Sequence, residues 1–142
     1  MIQVTRKEFE KGWARAKSVY ATVPHGDKTN NAHRLLLFYA VENGLKALIM
    51  RTERIRDGSA DFSKEKHNIN RLLDRAGAKA TYRIANTILI KDRIAQTSRN
   101  CSVGDINQIW RYGCIADAPS DEEIELGLRT VAQWIEEQLL SP

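Results

Sequence analysis

FYAVENGLKALIM, residues 38–50, places apolar side chains on nearly every face of a helix, yet a glutamate, an asparagine, a glycine and a lysine stand in its middle. A helix that is apolar around most of its circumference has neighbours on several sides. The same pattern extends from about Asn31 to about Arg51, so we predict a central helix there. Glu42 and Lys46 are four residues apart in the order that favours an ion pair, and their charged ends must reach solvent or a polar site.

Gly44 is the least expected residue of this helix, because glycine costs about 1 kcal/mol relative to alanine in a helix interior. Ala40 and Ala47 flank it at spacings of four and three residues. This row of small residues predicts that the backbone of another helix approaches closely and offsets the cost.

The first and last helices are predicted from their caps and their apolar spacing. Thr5 with Glu8, and Ser120 with Glu123, have the spacing of capping boxes. The apolar stripes that follow are Phe9, Trp13, Ala16, Tyr20 and Val23 in the first helix, which stops at Pro24, and Ile124, Leu128, Val131, Ile135 and Leu139 in the last.

Shorter segments lie between these helices. A helix is predicted from Ser63 through His67 to Ala76, ending at Gly77, and a longer one over about 78–98. Within the longer segment TILI, residues 87–90, has the composition of a strand, but four residues inside a helical period are weak support for a sheet. A further short helix is predicted over INQIWRYG, residues 106–113. We therefore predict an all-α fold, an up-and-down bundle of four to five helices in one domain spanning residues 1–142.

Composition bounds the class of protein. The chain has 142 residues, of which 42% are hydrophobic and 28% charged, values typical of a folded globular domain. No apolar run approaches the roughly 20 residues of a membrane span, and the amino terminus lacks the apolar core of a secretion signal, so we expect a cytoplasmic protein with no membrane partner. Cys101 and Cys114 have no partner spacing, which favours reduced thiols. No metal-ligand cluster, Gly-rich phosphate loop or Ser-His-Asp set is visible, so we expect no metal and no cofactor.

Charge is distributed unevenly along the chain. Residues 1–111 contain 21 Lys and Arg against 11 Asp and Glu, whereas residues 112–142 contain one against seven. A basic body of this kind could attract nucleic acid or nucleotide phosphates, but its cations are scattered singly, which is also typical of a solvated surface.

Three segments resemble the HEPN domain, the higher eukaryote and prokaryote nucleotide-binding family. In the central helix, the A-x-E-x-x-L-K-A run of the family is matched by Ala40, Glu42, Leu45, Lys46 and Ala47. HNINRLL from His67 is similar to the H-D-L segment of the family, and WRYG from Trp110 is similar to its R-Y segment before an acidic-capped last helix. Together these segments extend over residues 40–113, about half of the chain. The resemblance implies a helical bundle, often a homodimer, and for many members a metal-independent ribonuclease in toxin–antitoxin, antiphage or RNA-processing systems.

The catalytic signature of the family, an arginine followed after four to six residues by a histidine, is absent. None of the three histidines has an arginine at that distance before it. The nearest match is Arg99-Asn100, with Asp105 where the histidine is expected, and these three residues are the candidate catalytic set. Arginine suits phosphate oxygens and asparagine can orient a neighbouring oxygen, but an aspartate cannot replace imidazole as both acid and base near neutral pH. Alternatively, Arg99 and Asn100 form a helix end.

Five residues are candidates for ligand binding: Glu42, Lys46, His67, Arg111 and Tyr112. In the functional interpretation His67 joins Glu42 and Lys46 in a polar cleft, and Tyr112 stacks on a base beside Arg111. In the structural interpretation His67 is a helix-terminal residue, Tyr112 is packed, and Arg111 pairs with Asp117 or Glu42.

We therefore predict a homodimeric, HEPN-like protein that binds RNA or a nucleotide near Arg99, Asn100 and Arg111, with a degenerate ribonuclease site. The alternative is a catalytically silent interaction subunit that pairs with a nucleotidyltransferase-type antitoxin or another defence partner. In that case the acidic last helix faces a basic partner.

Overall fold

The computed structural model describes residues 3–22, 29–55, 60–91 and 99–141. Within these ranges the chain forms five α-helices and three short β-strands, joined in part by 3-10 turns at Ala80–Tyr82 and Val103–Asp105. The helices are α1 (Arg6–Ala21), α2 (Asn31–Thr52), α3 (Ile69–Ala76), α4 (Ile106–Arg111) and α5 (Asp121–Leu140), and the strands are β1 (Thr87–Ile90), β2 (Arg99–Ser102) and β3 (Ala116–Ala118).

Side-chain caps start the long helices at the predicted places. The Glu8 amide donates to Thr5 Oγ1 at 3.3 Å and the Thr5 amide donates to Glu8 Oε1 at 3.0 Å, so the predicted capping box of α1 is confirmed. Asn30 caps α2 by accepting from the amide of His33 at 3.0 Å. Ser120 caps α5 through its hydroxyl oxygen. The predicted stop of α1 at Val23 and Pro24 lies outside the described residues.

α2 is the central helix, as the sequence predicts, and it contacts each of the other four helices. Its apolar residues Phe38, Val41, Leu45 and Ile49 are fully buried. The expected close approach at Gly44 is made by side chains, however, and not by a neighbouring backbone. A Cβ atom on Gly44 would lie 2.7 Å from Cε3 of Trp13 in α1 and 2.9 Å from Cγ2 of Ile135 in α5.

The prediction of an all-α fold is wrong, because a three-stranded antiparallel sheet with the order β2-β1-β3 packs beside the helices. Thr87 of β1 is paired with Ser102 of β2, and Leu89 with Ala118 of β3. Ile88 and Ile90 are buried while Thr87 and Leu89 face outward. TILI therefore follows the two-residue period of a half-buried strand. The coarser expectation of a predominantly helical protein holds.

The predicted helix over 78–98 is also wrong. α3 ends at Gly77, which has a left-handed φ of +79°, and the chain then forms the Ala80–Tyr82 turn and β1. Asn70 on α3 holds the segment between them: its side-chain amide donates to the Ile84 carbonyl at 2.6 Å, and its Oδ1 accepts from the Ile84 amide at 2.8 Å. These two bonds satisfy backbone groups that a helix would otherwise pair internally. Residues 92–98 lie outside the described residues.

Two side-chain contacts hold the ends of α5. Asp121 Oδ1 accepts from Trp110 Nε1 at 2.8 Å, which joins the start of α5 to α4. At the other end Arg51 of α2 donates to the carbonyls of Gln138 at 3.0 Å and Leu139 at 3.1 Å. The guanidinium thereby occupies carbonyls that have no partner within the helix.

A buried polar contact joins α1, α2 and α5. Glu125 accepts from the Tyr20 hydroxyl through Oε2 and from Arg34 Nε at 3.0 Å through Oε1. All three side chains are buried. Burial and the hydrogen bond to Glu125 raise the pKa of Tyr20 far above its ordinary value of 10. The phenol is therefore held protonated as a donor to the carboxylate.

Gly44→Ala is expected to lower the free energy of unfolding by about 2 kcal/mol. The added methyl group overlaps the rigid Trp13 ring, and this overpacking outweighs the gain in helix propensity. Urea denaturation measures the change. Gly127→Ala in α5 is the matched control, because its Cβ meets only the terminal Cδ1 of Ile84. The control is expected to be neutral or stabilising, and equal losses in the two variants would contradict the close approach at Gly44.

Tyr20→Phe is expected to cost about 1–3 kcal/mol at neutral pH, because Glu125 loses a buried donor. The folded-state pKa of Tyr20 is raised, so the unfolded tyrosine ionises first. The contribution of this hydroxyl to stability is complete below pH 10 and is lost as the pH rises beyond it. Chemical denaturation at pH 7.5 and pH 10.5 should therefore show a smaller alkaline loss in Tyr20→Phe than in the unaltered chain. An equal loss of stability at pH 10.5 in Tyr20→Phe and in the unaltered chain would show that groups other than Tyr20 cause it.

Candidate functional site

One face of α2 carries polar residues that interrupt its apolar surface. Tyr39, Glu42 and Lys46 follow each other at spacings of three and four residues, so they lie on the same side of the helix. We call these three residues the α2 polar row. They extend over about 10 Å of the helix axis. His67 and Arg111, which come from other parts of the chain, contact this row.

Glu42 lies in the middle of the row, and its side chain is only 7% exposed. Its Oε1 is 3.4 Å from Lys46 Nζ and 2.5 Å from His67 Nδ1. A buried carboxylate is costly unless it is paired and hydrogen-bonded, and these two partners meet that condition. Glu42, Lys46 and His67 therefore form a polar cluster, which we call the Glu42 cluster.

His67 is the last residue of a turn over residues 63–67, two residues before α3 begins. Lys66 adopts a left-handed φ of +51° in this turn, and Asn68 caps α3. The prediction that α3 already includes His67 is therefore wrong. The His67 side chain is 53% exposed. One ring nitrogen is bound to Glu42, and the other edge of the imidazole is accessible.

Lys46 extends from α2 to two aromatic rings. Its Nζ is 5.8 Å from the ring centroid of Phe9 in α1 and 5.4 Å from that of Phe62. The two rings meet edge to face, with centroids 5.9 Å apart. The side chain is 14% exposed, so the ammonium is partly removed from water and attracted both to the Glu42 carboxylate and to the ring faces.

An open pocket of about 750 Å³ lies over Lys46 and these rings. Its walls come from the amino-terminal segment and α1, from Lys46 of α2, and from the segment over residues 60–67. The residues that line it are Gln3, Val4, Phe9, Lys46, Ala60, Asp61, Phe62, Ser63, Lys66 and His67.

A second, more open groove of about 860 Å³ shares Ser63 and Lys66 with this pocket and is also lined by Lys64, Arg71 and Arg75. Its arginines are engaged within the protein. Arg75 forms a two-bond pair with Glu53, each bond 2.9 Å long, and Arg71 donates to the Lys64 carbonyl at 2.9 Å. The hydrogen bond from Arg75 lowers the pKa of Glu53. This groove is therefore a structural ion-pair network, and the pocket over Lys46 is the stronger candidate.

The candidate catalytic residues Arg99, Asn100 and Asp105 lie on and after β2. Arg99 and Asn100 are exposed residues of this edge strand, so the alternative that they form a helix end is wrong. Asp105 accepts from the Ser102 amide at 3.1 Å and from the Ser102 hydroxyl at 3.2 Å. Its carboxylate closes the Val103–Asp105 turn and has a structural role.

Arg111 and Tyr112 lie at the carboxyl end of α4. Arg111 Nη2 donates to the Tyr39 hydroxyl at 2.7 Å, and this bond raises the pKa of Arg111. Arg111 is thus bonded to Tyr39, with Tyr112 as a second hydrogen-bond partner, and not to Asp117 or Glu42. Tyr112 is 71% exposed, so the packed-tyrosine alternative is wrong.

The structure brings three predicted ligand residues, Glu42, Lys46 and His67, into direct contact, and Arg111 meets the same row at Tyr39, one turn of α2 away. The turn that holds Asp105 adjoins the region, since a Cβ on Gly104 would lie 3.8 Å from the side-chain amide of Asn68. Of the predicted residues, Glu42 is the most deeply buried, and it lies at the centre of the contacts with Lys46 and His67.

Phe62 and Lys66 are pocket residues that the sequence analysis missed, and Phe9 was assigned only to the core stripe of α1. Phe62 is a single aromatic residue at the end of a polar loop, and this unusual position is the only feature of the sequence that could have identified it as a pocket residue. The Phe62 ring reaches Lys46 because the segment over residues 60–67 packs against α2, where His67 contacts Glu42.

No protein-family model matches this chain, and no curated protein or solved structure was found to be similar to it. Across the described ranges no group of three or more His, Cys, Asp or Glu side chains is arranged to hold a metal ion. Nor is any described helix long and apolar enough to cross a membrane. Cys101 and Cys114 are free thiols.

Glu42→Ala is expected to lower the free energy of unfolding by about 3 kcal/mol, because it leaves Lys46 partly buried without its counter-ion. Glu53→Ala is the control. It also removes a carboxylate from an ion pair, but the Glu53 side chain is 38% exposed and its loss should cost at most about 1 kcal/mol. Thermal and urea denaturation compare the two. Equal effects would show that burial does not strengthen the Glu42 cluster.

Proposed function

We propose that this protein binds RNA or a nucleotide in the pocket over Lys46, as an HEPN-like helical protein. The observation that supports the proposal most directly is the combination of an ammonium group at the base of the pocket, held by the buried carboxylate of Glu42, with two phenylalanine rings beside it. Lys66 and His67 line the same pocket.

The chemistry of the pocket matches that of a nucleotide. Phosphate oxygens are recognised by cations, here Lys46 and Lys66, while unstacked bases pack against aromatic side chains, and the rings of Phe9 and Phe62 line this pocket. A volume of about 750 Å³ is within the range of small-molecule sites and suits a ligand the size of one nucleotide. A segment of single-stranded RNA would place one base there, with Arg111 and Tyr112 available to the neighbouring nucleotides.

The resemblance to HEPN domains supports the same class of ligand, and it implies a component of a toxin–antitoxin or phage-defence system, with a homodimer as the expected assembly. Ribonuclease activity by the route of that family has less support. The Arg99-Asn100 pair has no histidine at the required distance, and Asp105 is hydrogen-bonded to Ser102. Binding without that acid–base chemistry is therefore the function we propose.

The alternative, a silent subunit that offers an acidic α5 to a nucleotidyltransferase-type partner, is less favoured. Several acidic groups of α5 are already paired within the chain. Glu136 is 2.6 Å from Lys17 Nζ, and Glu122 and Glu125 both contact Arg34. These intramolecular pairs reduce the negative charge available to a basic partner.

Lys66→Ala is expected to weaken binding of a short single-stranded RNA about fivefold and to reduce the slope of log affinity against log salt by about one, because one phosphate contact is lost. Fluorescence anisotropy between 50 and 300 mM salt measures both quantities. Lys79→Ala removes the same charge at an exposed position outside the pocket and should leave both nearly unchanged.

Arg99→Ala tests the alternative location on β2. If the RNA-binding surface is centred on the pocket, Arg99→Ala should reduce affinity less than Lys66→Ala. The opposite order would move the site to the sheet. Affinity that does not change with salt, in the unaltered chain and in every variant, would refute the nucleic-acid proposal itself.

A further inference from the structure

The contact with Glu42 fixes where the neutral imidazole of His67 carries its proton. An ionised carboxylate can only accept hydrogen bonds, so the nitrogen that faces it, Nδ1, must be the donor. The other nitrogen, Nε2, is then an acceptor with a lone pair. A phosphate oxygen, which is also an acceptor, can bind to Nε2 only after that nitrogen gains a proton.

Charged groups of both signs surround His67. Lys46 from α2 and Lys66 from the same turn carry positive charge, while Glu42 from α2 and Asp61 from the segment before the turn carry negative charge. Hydrogen bonds from Ser63 lower the pKa of Asp61 and keep it ionised. The residues that the amino-terminal segment and α1 contribute to the pocket, Gln3, Val4 and Phe9, are uncharged. From α3, the Arg75 guanidinium lies 4.9 Å from the Phe62 ring centroid and is paired with Glu53 and Glu65, and Lys64 of the turn also acts on Asp61. Protonation of His67 adds one positive charge to this pocket.

We propose that His67 is the phosphate-contacting residue of the pocket and that it takes up a proton when a phosphate group binds. This inference rests on the proposed function. The phosphate oxygen accepts from the protonated Nε2, while Nδ1 continues to donate to Glu42. The carboxylate thus stabilises the imidazolium and holds its ring in position.

Phosphate is favoured over a neutral ligand group because of the neighbours of His67. Lys46 and Lys66 line the same pocket, and their ammonium groups attract the same anion. A ribose hydroxyl could donate to neutral Nε2 with no change in protonation, but it would make no use of the two cations. Acceptor atoms of a base would also need a protonated Nε2, so proton uptake with a phosphate-containing ligand but not with the nucleoside alone distinguishes phosphate recognition from recognition of the sugar or the base.

Calorimetric titration with the dinucleotide ApA tests the inference. Its single phosphodiester charge is constant between pH 5.5 and 8, so any pH dependence arises from the protein. Titrations at pH 7 in two buffers of different ionisation enthalpy should show uptake of about half a proton per site, and affinity should rise about tenfold from pH 8 to pH 5.5. Adenosine, which has no phosphate, should bind more weakly and take up no proton.

Two variants separate this role from a structural one. Asparagine at position 67 keeps a donor near the place of Nδ1 and cannot titrate, so His67→Asn should remain folded, bind ApA at a nearly constant affinity across the pH range and take up no proton. In Glu42→Gln the side-chain amide can donate to Nδ1, so neutral His67 can carry its proton on Nε2. Proton uptake by this variant at pH 7 should therefore fall even though His67 is present, provided that the melting curve shows a folded protein.

The outcomes distinguish the two proposals. ApA binding without proton uptake, or the same uptake by His67→Asn, overturns the role of His67 and leaves the binding function intact. Equal proton uptake with adenosine and ApA overturns phosphate as the group that His67 recognises. Absence of binding by ApA, adenosine and single-stranded RNA overturns the proposed function and this inference with it.

Discussion

α2 has apolar residues around almost its entire circumference, and the rest of the architecture follows from the need to cover it. No single neighbour can bury such a helix, because each neighbouring element covers only one side. Four helices therefore contact it, and at Gly44 the side chains of Trp13 and Ile135 leave no room for a Cβ atom. Any larger residue at that position would separate α1 and α5 from the core, which explains a glycine in the middle of a long helix.

Because its neighbours cover α2 on all sides, the Glu42 side chain is buried. A carboxylate on an exposed helix would contribute little, but here it is buried and has to be paired. Lys46 is supplied by the same helix one turn later, and His67 by the turn before α3. Their arrival places an ammonium and an oriented imidazole at an open pocket. The need to pair the buried Glu42 carboxylate therefore places Lys46 and His67 at the pocket.

The helical part of the fold was largely predictable, because its signals are local. Capping residues such as Thr5 and Ser120 act within one turn, and apolar spacing identifies the face that each helix buries. The strands were not predictable to the same degree. β1 has only four residues, and its pairing partners lie about 10 and 30 positions further along the chain. Asn70 binds the backbone of Ile84, 14 residues further along the chain. No local sequence pattern reveals a contact over that distance.

The sequence alone determined that a long apolar helix lies at the centre, that Glu42 and Lys46 form a pair on one face of it, and where the three long helices begin. These properties depend on spacings of three or four residues, which the helix geometry fixes whatever surrounds it. Tertiary structure decided the remainder: that TILI is a strand, that Asp105 binds Ser102, that Arg111 reaches Tyr39, and that His67 meets Glu42 beneath a pocket formed by Phe9 and Phe62. The physical reason is that these contacts join residues separated by loops, whose path depends on the packing of the whole chain and not on the residues that meet.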